Sequence, residues 1–176
     1  MTRNRTRRRL VRAFTLFEML VTVAIIATVA VMVIPGAGND SRLRLAAASS
    51  VLISDIEYAQ AATLARPEQP LAIVFRPAQN LYYVADAAAP GIPITRPDNG
   101  EFYVVTIGVD RAAAAVGVTF AVTDVPSDTL VFQAQGGLAD FTIDPVVRFT
   151  LGDVWLDVAV SPTTGQVTEA AGSASE

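Results

Sequence analysis

The stretch SRLRLAAASSVLISDIEYAQAATLARPEQPLAIVFR, Ser41 to Arg76, contains a change of period that decides the fold. Up to Arg66 the positions Leu45, Leu52, Ile56, Ala59 and Thr63 recur at spacings of 7, 4, 3 and 4, which makes one face of a helix. Ser49, Asp55, Glu57 and Gln60 fall largely off that face. Asp40 or Ser41 is placed to cap the start, and Pro67 lies just past the end. From Leu71 onward the period is two. Short β-branched or aromatic runs at 71–76, 80–85, 102–109, 118–123, 129–133, 146–151 and 154–160 are separated by Pro, Gly, Asp and Asn. In VWLDVAV (154–160), Val154, Leu156, Val158 and Val160 share one face, and Trp155 and Asp157 take the other. The pattern predicts an α+β fold, with an amphipathic helix over residues 35–66 covering one face of an antiparallel sheet at 67–168. The small, acidic end EAAGSASE (169–176) reads as a disordered tail.

Working back toward the start, RAFTLFEMLVTVAIIATVAVMVIPG (12–36) is apolar from Phe14 to Ile34 except for Glu18 and two threonines, Thr15 aside. Twenty-one helical residues rise roughly 31 Å, about the thickness of a bilayer core, so residues 14–34 read as a transmembrane helix. Thr22 and Thr28 can bond carbonyls one turn back. Pro35 removes a helix bond and Gly36 loosens the backbone, which places a kink there. The run is longer than a signal-peptide core and no small-residue cleavage site follows it near Ile34. On bilayer physics alone, Glu18 is equally an acid awaiting a partner or a helix-end charge reaching for the headgroups.

The 13 basic residues are all arginine, and there is no lysine, histidine or cysteine. Disulfides, thiolate nucleophiles, imidazole bases, Schiff bases and P-loop lysines are therefore unavailable, and no enzyme, cofactor or metal is expected. Six arginines lie in the first 12 residues; from Phe14 onward 7 arginines face 17 acids, a net of −10. By the positive-inside rule the basic head is cytoplasmic and the acidic body lies across the membrane. A nucleic-acid-binding arm is disfavoured because no aromatic residue interleaves the arginines.

Other constellations are read as surface chemistry. Asp124 with Asp128, Asp140 with Asp144, and Asp153 with Asp157 are acid pairs at four-residue spacing, common along strands and turns. Asp98, Asn99 and Glu101 offer oxygens to calcium but lack the EF-hand spacing. They sit in the proline-rich segment 85–100, which reads as an exposed loop. A local cationic patch would draw on Arg96, Arg111 or Arg148. Trp155 is expected to pack against sheet or helix.

Ala13-Phe14-Thr15-Leu16-Phe17-Glu18-Met19-Leu20-Val21 resembles the processing site of type IV prepilins and type II secretion pseudopilins. The resemblance implies a leader of residues 1–13, cut by prepilin peptidase between Ala13 and Phe14. It implies N-methylation of Phe14 and a Glu at the fifth mature position, Glu18, that serves subunit assembly. Ala13 stands where that family usually has Gly, and Phe17 where a branched aliphatic residue is commoner. LISDIEYAQAATLARPEQPLAIVF (52–75) and the closing SPTTGQV (161–167) are similar to the minor pseudopilins of the GspH and FimT-like group.

What this implies is a pilin-like protein: one long N-terminal helix, membrane-spanning in its first half, on an antiparallel β domain. The implied function is a structural minor pseudopilin of a type II secretion-like machine, with a FimT-like minor pilin of a type IV pilus as the alternative. The implied partners are other pseudopilins or pilins, the peptidase and N-methyltransferase, an inner-membrane assembly platform and membrane lipid, without nucleic acid. The implied location is the bacterial inner membrane, single-pass, with a periplasmic C-terminal domain that later joins a fibre. A rival of another class is a membrane-anchored periplasmic binding or enzyme domain.

Overall fold

A computed structural model describes residues 15–33 and 37–173. The chain divides into two compact units, residues 1–36 and 37–176. The first unit holds helix α1 (Leu16–Val33), with Glu18 in its first turn. Thr15 supplies the cap: its Oγ1 accepts the N–H of Glu18 at 3.2 Å. Thr22 Oγ1 donates to the carbonyls of Glu18 and Met19, and Thr28 Oγ1 to that of Ala24, all at 2.8–3.0 Å. These bonds bury the hydroxyl needs of the threonines within the helix itself.

The second unit begins with helix α2 (Ala37–Ala65). It starts three residues earlier than the expected cap, so Asp40 lies in its first turn and pairs with Arg44 at 2.6 Å. Strands follow: β1 (Leu71–Arg76), β2 (Leu81–Asp86), β3 (Val104–Thr106), β4 (Thr119–Thr123), β5 (Thr129–Val131), β6 (Val146–Leu151), β7 (Val154–Val160) and β8 (Val167–Ser173). They form two four-stranded antiparallel sheets, ordered β3-β2-β1-β5 and β4-β6-β7-β8. One core joins both sheets to α2. Leu45, Leu52, Ile56 and Ala59 of the helix are buried with Phe75 and Tyr82 of the first sheet and Phe149, Val158 and Val160 of the second. Phe75 meets Phe120 edge-on at 6.0 Å between centroids, and Phe120 meets Phe149 at 6.1 Å, an aromatic seam linking the sheets.

Several expectations are corrected. The single sheet beneath one long, half-membranous helix is replaced by an α+β fold with two open sheets. Strand alternation marks which face is buried but not which strand is the neighbour, and β1–β5 and β4–β6 pair strands that are not consecutive in the chain. Among the described residues no helix is long and apolar enough to cross a membrane. Helix α1 has 18 residues and its third is an acid, so the uncharged remainder from Met19 to Val33 rises roughly 22 Å against about 30 Å of hydrocarbon. The same finding overturns the transmembrane helix and the single-pass inner-membrane placement built on it. The kink residues Pro35 and Gly36 lie outside the described residues.

The tail is also different. Val167–Ser173 pairs with β7 along its whole length, from Val160↔Val167 to Val154↔Ser173. Gly172 makes this possible, because Trp155 lies where any Cβ at that position would sit. Trp155 is thus packed on the sheet, with the Arg148 guanidinium 4.5 Å from its ring centroid.

Candidate functional site

Helix α1 is the first candidate. Within the described residues its side chains from Leu16 to Ile26 are largely uncovered, Leu16 at 84% and Phe17 at 75%. Apolar residues occupy every side of the helix rather than one stripe. Such a helix is stable in water only when other apolar matter covers it. Glu18 is the one charged group on it and is exposed. Its position in the first turn is favourable, since a carboxylate there faces the positive end of the helix dipole. Thr15-Leu16-Phe17-Glu18 has the spacing of a capping box, a signal that a reading focused on the apolar run passes over. Ala13 and Phe14, the expected processing and methylation residues, lie outside the described residues.

A second constellation lies in the core of the other unit. Asp55, expected on the polar side of α2, is fully buried, and so is Ser49, whose hydroxyl donates to the Ala46 carbonyl at 3.0 Å. The carboxylate of Asp55 accepts from the Tyr82 hydroxyl at 2.7 Å, the Tyr103 hydroxyl at 2.8 Å and Arg111 Nη1 at 2.9 Å. Three donors from β2, the approach to β3 and the 110–115 turn thus converge on one helix residue. A helix-spacing signal existed: Asp55 is three residues after Leu52 and four before Ala59. It is overridden in sequence reading because unpaired acids are almost never buried.

Tyr103 is clasped on its ring as well. It stacks on Tyr58 at 5.3 Å, and the Arg96 and Arg111 guanidinium groups lie 5.3 and 5.6 Å from its centroid. Burial, and then the Asp55 charge, push the Tyr82 phenol well above its ordinary range and that of Tyr103 up to about 12. Both phenols therefore stay protonated and donate to the carboxylate. Burial disfavours the charged form of Arg111, yet the neighbouring Asp55 carboxylate leaves its pKa raised. The arrangement holds charge in place; it contains no nucleophile beside a base.

A pH dependence follows. The folded state binds the Tyr103 proton more tightly than the unfolded chain, whose phenol titrates near 10. The contribution is fully present below pH 10 and is lost as pH rises through about 12. Urea titrations of the full chain from pH 9 to 12 are expected to show stability falling across that window, with a shallower fall in Tyr103→Phe. An equal slope in both proteins would contradict the role given to Tyr103.

The remaining sequence candidates are dispersed. Arg96 is bidentate on Asp98 (3.0 and 2.6 Å), and Asn99 bonds Glu101 at 3.0 Å, so the oxygens considered for calcium are engaged within the loop. No group of three or more acids that could hold a metal ion occurs among the described residues. Arg148 is bidentate on Asp157, both bonds at 2.7 Å. Each arginine of the candidate cationic patch, Arg96, Arg111 and Arg148, is thus matched to a carboxylate. Asp124, Asp128 and Asp140 adopt positive φ of 57°, 52° and 61°, the left-handed turn geometry that Asp tolerates. Asp124 and Asp140 line one open cavity of about 430 Å³, so the acids brought together are not the pairs suggested by spacing.

Residues 8–34 match the family model described as the prokaryotic N-terminal methylation motif. The chain therefore carries a prepilin-type N-terminal methylation motif, consistent with general pilin-like or pseudopilin-like membership. The matched span includes Ala13, Phe14 and Glu18. No curated protein sequence and no solved structure matches the chain.

Proposed function

We propose that the chain is a structural, non-enzymatic subunit of a pilin-like fibre, a minor pseudopilin of the GspH and FimT-like kind serving a type II secretion-like machine. The observation that carries this is α1: apolar on every side, largely uncovered from Leu16 to Ile26, and bearing a single carboxylate inside a methylation motif. Prepilin peptidase cuts between Ala13 and Phe14, and the freed Phe14 amine is methylated and stays positive near neutral pH. Helices α1 of neighbouring subunits then cover one another's apolar surface. In that low-dielectric bundle Glu18 meets the Phe14 amine of the next subunit, where opposite charges attract far more strongly than in water. The acid sets axial register as well as affinity, since a shifted neighbour would leave it unpaired.

The partners are accordingly other pilin-like subunits and the processing enzyme. Intact-mass measurement of the chain recovered from cells with an active prepilin peptidase tests the processing step. The expected product begins at N-methylated Phe14; a chain still beginning at Met1 would contradict the proposal.

A further inference from the structure

Among the described strands, the sheet edges are unequal. Strands β3 and β5 are three residues long, and the outer side of β5 is met by Ala139 N–H bonding the Val131 carbonyl at 2.8 Å. At the start of β4, Asn80 Nδ2 donates to the Val118 carbonyl at 2.8 Å. Strand β8 differs: it runs seven residues, Thr168 to Ala171 are exposed, and it holds no proline and no basic residue. Proteins ordinarily blunt such an edge with lysine, proline, bulges or a covering element, because its outward N–H and C=O groups are a template for another strand.

The flank of this edge is shaped and charged. Residues opposite one another across antiparallel strands share a face, so Val167 and Glu169 lie on the face of their partners Val160 and Val158, which are buried under α2. There the edge borders a cavity of about 430 Å³ lined by Ile53, Glu57, Gln60, Gln166, Val167 and Glu169. Ile53 and Val167 give it a half-buried apolar floor, and Glu57 and Glu169 are exposed carboxylates. Neither carboxylate has an ion-pair or hydrogen-bond partner among the described residues, whereas Asp40, Asp55, Asp98 and Asp157 each hold an arginine.

We propose that β8 receives an extended, arginine- or lysine-bearing segment of a partner protein, which adds as a fifth strand to the second sheet. Backbone hydrogen bonds to β8 supply affinity, and alternate side chains supply selectivity. A basic residue stands opposite Glu169 and within reach of Glu57. Two positions along, a branched apolar residue stands opposite Val167 and packs toward Ile53. Opposite charges across a strand pair stabilise it and like charges oppose it. That is why the occupant is not a second copy of this chain: antiparallel β8–β8 pairing would crowd the Glu57 and Glu169 carboxylates of both copies on one face.

The test uses the full chain and a fluorescent, end-blocked heptapeptide alternating threonine with alanine, arginine and valine. Fluorescence anisotropy is expected to show saturable binding, weakened about tenfold or more when the arginine is exchanged for glutamate. Proline in place of the alanine or of a threonine flanking the arginine removes a ladder donor and keeps the charge, and one of the two is expected to abolish binding. In the protein, Glu169→Lys and Glu57→Lys are each expected to weaken binding about tenfold with an unchanged melting temperature, since both side chains are exposed and unpaired. Amide exchange of β8 is expected to slow in the complex. Absence of binding, binding indifferent to both prolines, or a concentration-dependent dimer of the chain that excludes the peptide would each overturn the proposal.

Discussion

Asp55→Ala is expected to leave the 37–176 unit close to unfolding. Asp55 is fully buried and holds three donors, of which Arg111 carries a full charge. Removing one partner of a buried pair costs ~3–5 kcal/mol, because the other is left without compensation. Two orphaned phenol hydroxyls add to this. Set against a typical total of about 5–15 kcal/mol for a domain, the loss is severe. A fall in melting temperature of roughly 10–20 °C is expected by calorimetry or circular dichroism. The cost belongs to the stranded groups rather than to the attraction itself. Accordingly, the combined variant Asp55→Leu, Tyr82→Phe, Tyr103→Phe, Arg111→Met is expected to recover much of the stability. An Asp55→Ala protein that melts within 2–3 °C of the parent (about the effect of an ordinary surface substitution) would contradict the convergence described in the core.

Much of the α+β organisation is legible along the chain because burial imprints a period. Leu45, Leu52, Ile56 and Ala59 are the buried face of α2, and the alternation in 146–151 and 154–160 separates buried Val147, Phe149, Val158 and Val160 from Arg148 and Asp157. What escapes is what period cannot encode. Strand β8 has the small residues of a loop, VTEAAGS, and is ordered by a neighbour whose Trp155 needs the bare backbone of Gly172. The division into two sheets depends on partners far apart in sequence, as in Ala72↔Val131. Asp55 hides because its three donors, Tyr82, Tyr103 and Arg111, come from 27 to 56 residues away. Glu18 is visible as an oddity in the sequence, and its capping geometry emerges only when Thr15 is placed at the helix end.

That capping geometry decides which substitution at Glu18 tests subunit assembly. Glu18→Val would remove both a charge and a favourable first-turn acid, worth about 0.3–1 kcal/mol to the helix end, and so confuse two effects. Glu18→Gln retains the Thr-x-x-Gln form of the capping box and removes only the charge. If Glu18 meets a positive terminus inside a bundle of α1 helices, neutralising it strands that terminus. A loss of ~3–5 kcal/mol per contact corresponds to roughly a hundredfold weakening or more. Repeated along a fibre, it is expected to prevent incorporation while the 37–176 unit melts at its usual temperature.

The measurement is the fraction of chain recovered in cross-linked complexes with pilin-like subunits, from cells with active prepilin peptidase. Parent and Glu18→Gln are to be compared at equal expression. Processed Glu18→Gln protein is expected to be folded yet nearly absent from the complexes. Incorporation equal to that of the parent would contradict the pairing of Glu18 with a neighbour's Phe14 amine.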